Sequence, residues 1–268
     1  MKSGALSWRE IKTMKKTTIK VKNGKCKFYD YPENSNTILL CVPSFKGGAW
    51  QFFFLGIKLR RSGFHVITMN FSYGWFARKL FSDMSITNGK KELELVVSAV
   101  KTKYPLKKIV LCGLSFGGTI CVAASRKNID GLVLSSPPLD MEETLRSYFH
   151  YQDIKAILNQ KYLYFSEPID SPIKLMRIKV KTDVITDALN NFDYLAAAAT
   201  IRVPVLIFYG ENDNRLKLDT LKAFFAKLQT PAKKIVTIKG AGHDRLHFWF
   251  ATNLSEEIRA YLDVNFSR

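Results

Sequence analysis

One segment of this 268-residue chain, Val110-Leu111-Cys112-Gly113-Leu114-Ser115-Phe116-Gly117-Gly118, is more informative than any other. It reads as a buried strand, a Gly-x-Ser-x-Gly turn and the first residues of a helix, which is the context of a nucleophile elbow. Glycine is needed at Gly113 and Gly117 because side chains there would clash with neighbouring backbone. The segment therefore predicts that Ser115 is a nucleophile in a strained strand-to-helix turn.

The flanking sequence distinguishes this turn from a chance match. At the usual frequency of glycine, the bare pattern arises in roughly one chain in fifteen of this length. Here an apolar run at residues 107–112 precedes the turn, and small, apolar residues at 119–124 follow it, as expected of a helix that packs against a sheet. The alternative is an ordinary tight turn between a strand and a helix.

Length and composition favour one large domain. With 47% hydrophobic residues, the chain can bury one sizeable core. We predict an N-terminal tail at residues 1–16, a core formed by residues 17–137 and 201–268, and an inserted lid at residues 138–200. Met14 offers an alternative start, which would make the first segment dispensable.

Alternating strand-like and helix-like segments predict an α/β fold. Residues 18–29 read as an opening β-hairpin around the turn Asn23-Gly24, with Val21 opposite Cys26. The alternation that follows is typical of βαβ units and predicts a mostly parallel, doubly wound sheet that is covered on both faces. The predicted strands are residues 37–42, 64–69, 107–112, 131–135, 203–209 and 234–239, and the predicted helices include residues 51–62, 90–103, 216–228 and 248–262.

The alternation breaks between Pro137 and about Thr200. This part is rich in aromatic side chains, namely Tyr148, Phe149, Tyr151, Tyr162, Tyr164 and Phe165. We interpret it as a lid, and its aromatic residues predict a hydrophobic acyl or aryl group on the substrate.

Two loops offer partners for Ser115. A serine hydroxyl needs a base that removes its proton and a carboxylate that orients this base. Asp213 and His243 each follow a predicted strand, and the catalytic groups of open α/β sheets collect at such carboxyl ends. Asp213 is therefore the predicted acid and His243 the predicted base, with Glu211 and Asp244 as rival acids.

The other three histidines have plainer interpretations. His65 lies at the start of a strand, His150 in the predicted lid and His247 at the start of a helix. We expect each to be a packing or surface residue.

Acyl transfer also needs preorganised N–H donors for the oxyanion that forms. One predicted donor is the backbone N–H of Phe116, directly after the nucleophile, and the other is the N–H of Phe45 in the loop at residues 43–48. The alternative for Gly47-Gly48 is an ordinary flexible turn. A phosphate-binding loop is disfavoured because the rest of its signature is missing.

From about residue 30 to its end, the sequence resembles the α/β-hydrolase superfamily, in which nucleophile, acid and base follow one another in this order. The resemblance implies a serine hydrolase with Ser115, Asp213 and His243 as its triad and with Phe45 and Phe116 as oxyanion donors.

Within the superfamily the chain is similar to lid-bearing bacterial esterases of the feruloyl-esterase-like and lysophospholipase-like types. It is more loosely similar to the acyl-carrier-protein thioesterases of bioluminescence, in the segments Gly63-Phe64-His65-Val66 and Thr87-Asn88-Gly89-Lys90. Where many relatives have His-Gly before the first oxyanion donor, this chain has Pro43-Ser44.

The formal net charge of +18 invites an anionic partner. Its lysines are spread along the chain without a recognisable binding module, which disfavours nucleic acid. An acidic carrier protein or an anionic lipid surface remains open, beside the alternative that the charge is compositional background.

Two features predict a cytoplasmic protein without a transmembrane segment. No run approaches the ~18 consecutive apolar residues of a membrane span, and residues 1–22 lack the apolar core of a signal peptide. Cys26, Cys41, Cys112 and Cys121 lie in apolar contexts without CxxC spacing, so we expect buried free thiols, which suit a reducing compartment.

The sequence thus predicts a serine hydrolase that cleaves a carboxylic ester or thioester through an acyl-enzyme on Ser115, with no metal or organic cofactor. An aminopeptidase or amidase would need acidic groups for a substrate ammonium, and Glu142-Glu143 is the only hint of them. A non-catalytic binding protein on this fold is disfavoured because all three triad residues are present.

Overall fold

A mixed eight-stranded sheet lies at the centre of the fold. The computed structural model describes residues 14–21, 24–45, 47–73, 84–125, 128–148, 154–167, 176–243 and 254–266. The strands of the central sheet run in the order β1-β2-β4-β3-β5-β6-β9-β10. They are β1 (Lys15–Val21), β2 (Gly24–Tyr31), β3 (Thr37–Val42), β4 (His65–Asn70), β5 (Lys108–Leu114), β6 (Gly131–Ser135), β9 (Val205–Gly210) and β10 (Lys233–Ile238), while β7 (Tyr162–Glu167) and β8 (Met176–Lys181) pair separately.

Helices connect these strands. A short 3-10 helix at Ala49–Phe52 leads directly into the first α-helix. The α-helices are α1 (Phe53–Arg61), α2 (Ile86–Lys103), α3 (Phe116–Ala124), α4 (Met141–Tyr148), α5 (Ile154–Leu158), α6 (Thr182–Asn191), α7 (Tyr194–Ala198), α8 (Leu218–Lys227) and α9 (Leu254–Phe266). None of the helices that the structure describes is both long enough and apolar enough to cross a bilayer.

The strands β3, β5, β6 and β9 form the buried centre of the sheet. They pair in parallel, and almost every residue in them is buried, because both faces of the sheet are covered. Successive residues face opposite sides, so Leu40 and Leu111 belong to one apolar cluster and Leu39 and Val110 to another. The prediction of an α/β fold with a mostly parallel sheet is confirmed.

The opening hairpin is present, but its predicted register is wrong. Val21 pairs with Gly24 and Ile19 with Cys26, whereas the predicted turn would place Val21 opposite Cys26. Gly24 therefore lies in strand β2 and not in the turn. A slip of two residues leaves the same side chains on each face, so the alternation of polar and apolar residues could not distinguish the two registers.

Helix α2 begins four residues before its predicted start, at Ile86. The cause is an N-cap, since the Ser85 side chain accepts a hydrogen bond from the N–H of Asn88 at 3.1 Å. The last described helix spans Leu254–Phe266, and residues 248–253 of its predicted range lie outside the described residues.

The segment between β6 and β9 packs on the central domain. It contributes helices α4 to α7 and the antiparallel pair β7–β8, with its own small apolar cluster around Leu145 and Leu163. The Asp187 carboxylate of α6 accepts a hydrogen bond from the N–H of Thr87, at the start of α2, at 3.0 Å. This contact joins the inserted segment to the central domain.

The four cysteines are free and buried, as the sequence predicts. Burial raises the pKa of Cys41 and Cys121 well above the usual thiol range. These thiols are therefore packing groups rather than nucleophiles.

Candidate active site

The turn between β5 and α3 holds Ser115 in a strained backbone conformation. Its φ of 48° and ψ of −122° are unusual for a residue with a side chain. A Cβ at Gly113 would lie 2.5 Å from the Cα of Gly118, and a Cβ at Gly117 would lie 2.4 Å from the carbonyl oxygen of Val42. Backbone on both sides of the turn thus excludes any side chain at these two glycines.

A chain of hydrogen bonds leads from Ser115 to a buried carboxylate. The Ser115 hydroxyl donates to Nε2 of His243 at 2.9 Å, and Nδ1–H of His243 donates to Oδ2 of Asp213 at 2.8 Å. All three residues are buried. The other oxygen of Asp213 accepts the backbone N–H of Arg215 at 3.0 Å, which fixes the orientation of the carboxylate. The structure thus brings together the three residues of the predicted triad.

The loops that carry the acid and the base are bound to each other. The N–H of Asn212 donates to the carbonyl of Ala241 at 2.9 Å, directly between Asp213 and His243. Glu211, a rival acid in the sequence, accepts a hydrogen bond from the N–H of Gly240 at 2.8 Å and so stabilises the turn after β10. Asp244, the other rival, lies outside the described residues.

The two residues predicted to supply oxyanion donors, Phe45 and Phe116, are in contact through their side chains. Phe116 is the first residue of α3, where backbone N–H groups have no acceptor within the helix. Phe45 lies in the turn after β3, which the N–H of Gly47 closes by donating to the Ser44 carbonyl at 2.9 Å. The rings of Phe45 and Phe116 meet edge to face with centroids 5.9 Å apart. This contact places the turn after β3 against the strained turn that carries Ser115.

Gln51 holds this turn, and no motif pointed to it. Its Oε1 accepts the Ser44 N–H at 3.1 Å, and its Nε2 donates to the Ser44 hydroxyl at 2.7 Å. That hydroxyl donates to the Phe45 carbonyl at 3.3 Å. The peptide that carries the Phe45 N–H therefore lies between two anchored groups. A Cβ at Gly47 would lie 1.8 Å from Oε1 of Gln51, so a side chain there would displace the Gln51 amide from Ser44.

Asn70 anchors the other end of the same loop. Its Oδ1 accepts the N–H of Ala49 at 2.6 Å, and its Nδ2 donates to the Tyr29 hydroxyl at 3.3 Å. A Cβ at Gly48 would lie 2.8 Å from this Oδ1. The only sequence signal for Asn70 as an anchor of this loop was its position, since it is the polar residue that ends the apolar strand β4 at the carboxyl edge of the sheet.

The inserted segment reaches the turn after β3. Val180 at the end of β8 and Val184 in α6 form a small buried cluster against which the Phe45 side chain packs. Phe45 thus connects this buried cluster to Phe116, the residue that follows Ser115.

A second Asp–His pair lies at the opposite edge of the sheet. His65, at the start of β4, donates from Nε2 to Asp30 at 2.7 Å, and the Lys107 ammonium donates to its Nδ1 at 3.0 Å. Burial alone would raise the pKa of Asp30, but hydrogen bonds from His65, Lys103 and Tyr104 lower it to about 2. His65 is therefore a packing residue, while His150 and His247 lie outside the described residues.

Comparisons with known proteins agree with this architecture. The model of the alpha/beta hydrolase family matches residues 39–256. Est1E from Butyrivibrio proteoclasticus superposes with a TM-score of 0.75 at 17% identity, covering 94% of this chain and 99% of its own. An esterase from Pyrococcus furiosus gives a TM-score of 0.69 at 18% identity, covering 97% of this chain and 94% of its own.

A further similar structure is a hydrolase from Agrobacterium vitis, with a TM-score of 0.73 at 17% identity, covering 92% of this chain and 98% of its own. Comparison with curated protein sequences gives no match. At these identities the solved structures establish the fold, and the family model covers most of the chain. This chain therefore belongs to the alpha/beta hydrolase family.

Proposed function

We propose that this protein is a serine hydrolase that cleaves a carboxylic ester or thioester with a hydrophobic acyl or aryl group. The observation that carries the proposal is the hydrogen-bonded chain from Ser115 through His243 to Asp213, at 2.9 and 2.8 Å. The site needs no metal or organic cofactor for this chemistry, because nucleophile, base and acid are all side chains of the protein.

Acylation begins when His243 Nε2 takes the proton of the Ser115 hydroxyl as Oγ attacks the carbonyl carbon. The charge on the carbonyl oxygen then develops toward the backbone N–H groups of Phe45 and Phe116, which stabilise it. Collapse of this intermediate breaks the bond to the alcohol or thiol. His243 gives its proton to that leaving group, and Ser115 keeps the acyl group as an ester.

Deacylation repeats these steps with water. His243 removes a proton from the water as its oxygen attacks the acyl carbon, and the same N–H groups hold the second oxyanion. The bond from the acyl carbon to Ser115 Oγ breaks, and His243 returns the proton to Oγ. Asp213 stays ionised throughout and stabilises the imidazolium that forms in each half-reaction.

The surroundings of Ser115 favour an apolar acyl or aryl group. Phe116 follows Ser115 and Phe45 packs against it, so uncharged aromatic side chains lie next to the proposed nucleophile, and Phe45 in turn packs on the buried Val180 and Val184. The inserted segment, which we propose to be the lid, contributes the two valines. One of the similar structures, Est1E, has been solved with ferulic acid bound.

The two glutamates that suggested an aminopeptidase are engaged elsewhere. Glu143 accepts hydrogen bonds from the N–H of Lys217 at 2.7 Å and from the Thr220 hydroxyl, and so caps the start of α8. Glu142 pairs with Arg146 one turn further along α4, at 2.9 Å. Because both carboxylates have such partners, they are poor candidates for binding a substrate ammonium, which favours the esterase over the aminopeptidase or amidase.

Partners and location follow from the same proposal. The substrate is a small-molecule ester or thioester that is free in solution, attached to an acidic carrier protein or held at an anionic lipid surface. The protein acts on it in the cytoplasm. Nucleic acid is not a proposed partner, since the chain lacks a recognisable binding module.

Labelling and mutation of Ser115 test the proposal. A fluorophosphonate should react with the wild-type protein on the peptide that contains Ser115, and Ser115→Ala should abolish labelling and ester hydrolysis without unfolding the protein. A panel of p-nitrophenyl esters of increasing chain length, with aminoacyl anilides and acyl-CoA beside it, should show turnover that depends on acyl chain length. Labelling at another serine, or faster turnover of the anilides, would overturn it.

A further inference from the structure

Three exposed aromatic side chains lie together on one short stretch of the chain. Trp50 is 57% exposed, Phe53 42% and Phe54 64%, at the junction of the 3-10 helix and α1. The rings of Phe53 and Phe54 meet edge to face with centroids 5.4 Å apart. Single exposed apolar residues are normal on a protein surface, whereas a cluster of three aromatic residues marks a binding surface.

The same helix carries positive charge further along its outward face. Lys58 and Arg61 are exposed. Lys58 lies four residues after Phe54, and Arg61 lies three residues after Lys58, so the aromatic and basic side chains share one face of the helix. Leu55 and Leu59 lie on the inward face and are buried in the core. Residues 34–73 include basic side chains but neither aspartate nor glutamate. This face is thus aromatic at one end and basic at the other, with Glu33 paired to the neighbouring Arg60 at 3.1 Å.

The aromatic end lies at the edge of the sheet that holds the active site. The loop from β3 to the 3-10 helix starts at the carboxyl end of β3, and α1 runs back toward the amino end of β4. Gln51, which stands between Trp50 and Phe53, makes the two hydrogen bonds to Ser44 in the turn after β3. The aromatic cluster and Phe45, one of the two proposed oxyanion donors, therefore lie on the same connection between β3 and β4.

We propose that this face, formed by Trp50, Phe53, Phe54, Lys58 and Arg61, docks the protein on an anionic lipid surface. Trp and Phe side chains bind at the boundary of headgroups and acyl chains, and Lys and Arg are attracted to anionic headgroups. The net charge of +18 gives the whole molecule the same attraction. The proposal extends the proposed function, because the docked enzyme would draw its acyl substrate from the lipid beside its site.

Co-sedimentation with vesicles tests the docking directly. The probes are vesicles of phosphatidylcholine alone and vesicles of phosphatidylcholine with about one third phosphatidylglycerol. The wild-type protein should bind the anionic vesicles, with binding that weakens as salt is added, and should bind the neutral ones far less. The triple variant Trp50→Ser/Phe53→Ser/Phe54→Ser should lose about tenfold or more in partitioning, and Lys58→Glu/Arg61→Glu should lose most of its preference for anionic vesicles.

A matched control removes the same number of exposed apolar side chains elsewhere. The variant Leu95→Ser/Leu106→Ser/Val264→Ser should bind vesicles like the wild type, since these residues are exposed outside this face. Hydrolysis of a short soluble ester should be unchanged in all variants, which shows that each is folded. Absence of binding to anionic vesicles, or equal loss in the control, would refute the docking.

Two other results would separate this proposal from related ones. If the triple variant changes the protein from dimer to monomer in light scattering without altering vesicle binding, the face is a contact between copies of this chain and the lipid proposal is wrong. If vesicle binding behaves as expected but no ester is hydrolysed, the docking stands and the proposed function fails.

Discussion

The change Gln51→Leu tests whether the turn that carries Phe45, a proposed oxyanion donor, depends on one side chain outside the predicted triad. Leucine has nearly the same volume as glutamine but cannot make the two hydrogen bonds to Ser44, at 3.1 and 2.7 Å. Each such bond contributes about 1 kcal/mol net, and Ser44 is buried, so its N–H would be left without this acceptor. The change therefore removes about 2 kcal/mol of preference for the ordered turn.

If the ordered turn is needed only in the transition state, 2 kcal/mol corresponds to a loss of about thirtyfold in kcat. This lies below the ~100- to 1000-fold loss expected when an oxyanion donor is removed outright. KM should change little, because the donors act on the developing oxyanion rather than on the bound ester. Gln51→Glu still offers Ser44 an acceptor, so it should restore part of the lost rate.

The assay is steady-state hydrolysis of a short p-nitrophenyl ester, with thermal unfolding measured on the same samples. Gln229→Leu is the matched control, since Gln229 is exposed and its amide contacts only the nearby carbonyl of Lys227 among the described hydrogen bonds. A kcat for Gln51→Leu within twofold of the wild type would refute the reasoning. So would a fall in stability alone, because that result would make Gln51 a purely structural residue.

Four further predictions follow from the same contacts. Gly117→Ala should lower the free energy of unfolding in denaturant titrations by about 1–3 kcal/mol, because the new Cβ would lie 2.4 Å from backbone atoms. In the same titrations Gly56→Ala should be tolerated, because the nearest atom to its Cβ would be 3.7 Å away. His243→Ala should reduce ester hydrolysis as much as Ser115→Ala, and Asp213→Asn should reduce it less; a larger loss in Asp213→Asn than in His243→Ala would contradict these roles. Asp30→Asn should lower the free energy of unfolding by about 2 kcal/mol at neutral pH, because folding lowers the pKa of Asp30 from 3.8 to about 2. In urea unfolding, the difference between this variant and the wild type should disappear as the pH falls from about 4 to about 2. Added salt should lower kcat/KM for anionic micellar or carrier-borne substrates but not for a small neutral ester, because the Debye length falls from ~10 Å at 0.1 M to ~3 Å at 1 M. If kcat/KM depends on salt equally for both kinds of substrate, the lysines have no role in steering the substrate.

The centre of the sheet could be predicted from sequence because burial on both faces leaves a strong local signal. The strands β3 and β6 have the predicted bounds, since each is a continuous apolar run between polar residues or loops. The register of the hairpin had no such signal, because both pairings of Val21 bury the same face of β2. The pair β7–β8 was also missed, since it adds no strand to the central sheet and packs on a small cluster of its own.

The site shows the same division between local and tertiary information. The elbow and the two loops after β9 and β10 have recognisable motifs, so Ser115, Asp213 and His243 could be proposed from spacing alone. Gln51 and Asn70 could not, because an amide that binds backbone needs only the right distance in the fold. Their partners, Ser44 and Ala49, are close to them only after β3, β4 and the 3-10 helix have packed.

The two Asp–His pairs show why residue type alone does not identify a base. In the pair at the amino edge of the sheet, Asp30 holds one ring nitrogen of His65 and Lys107 the other, so neither nitrogen can take a proton from a substrate. In the other pair, Asp213 holds Nδ1 of His243 and leaves Nε2 for a hydroxyl that can lose its proton. Replacing Lys107 would not make His65 a base, because no strained serine or oxyanion loop lies at that edge among the described residues. Catalytic potential therefore depends on which ring nitrogen the carboxylate leaves open and on what faces it.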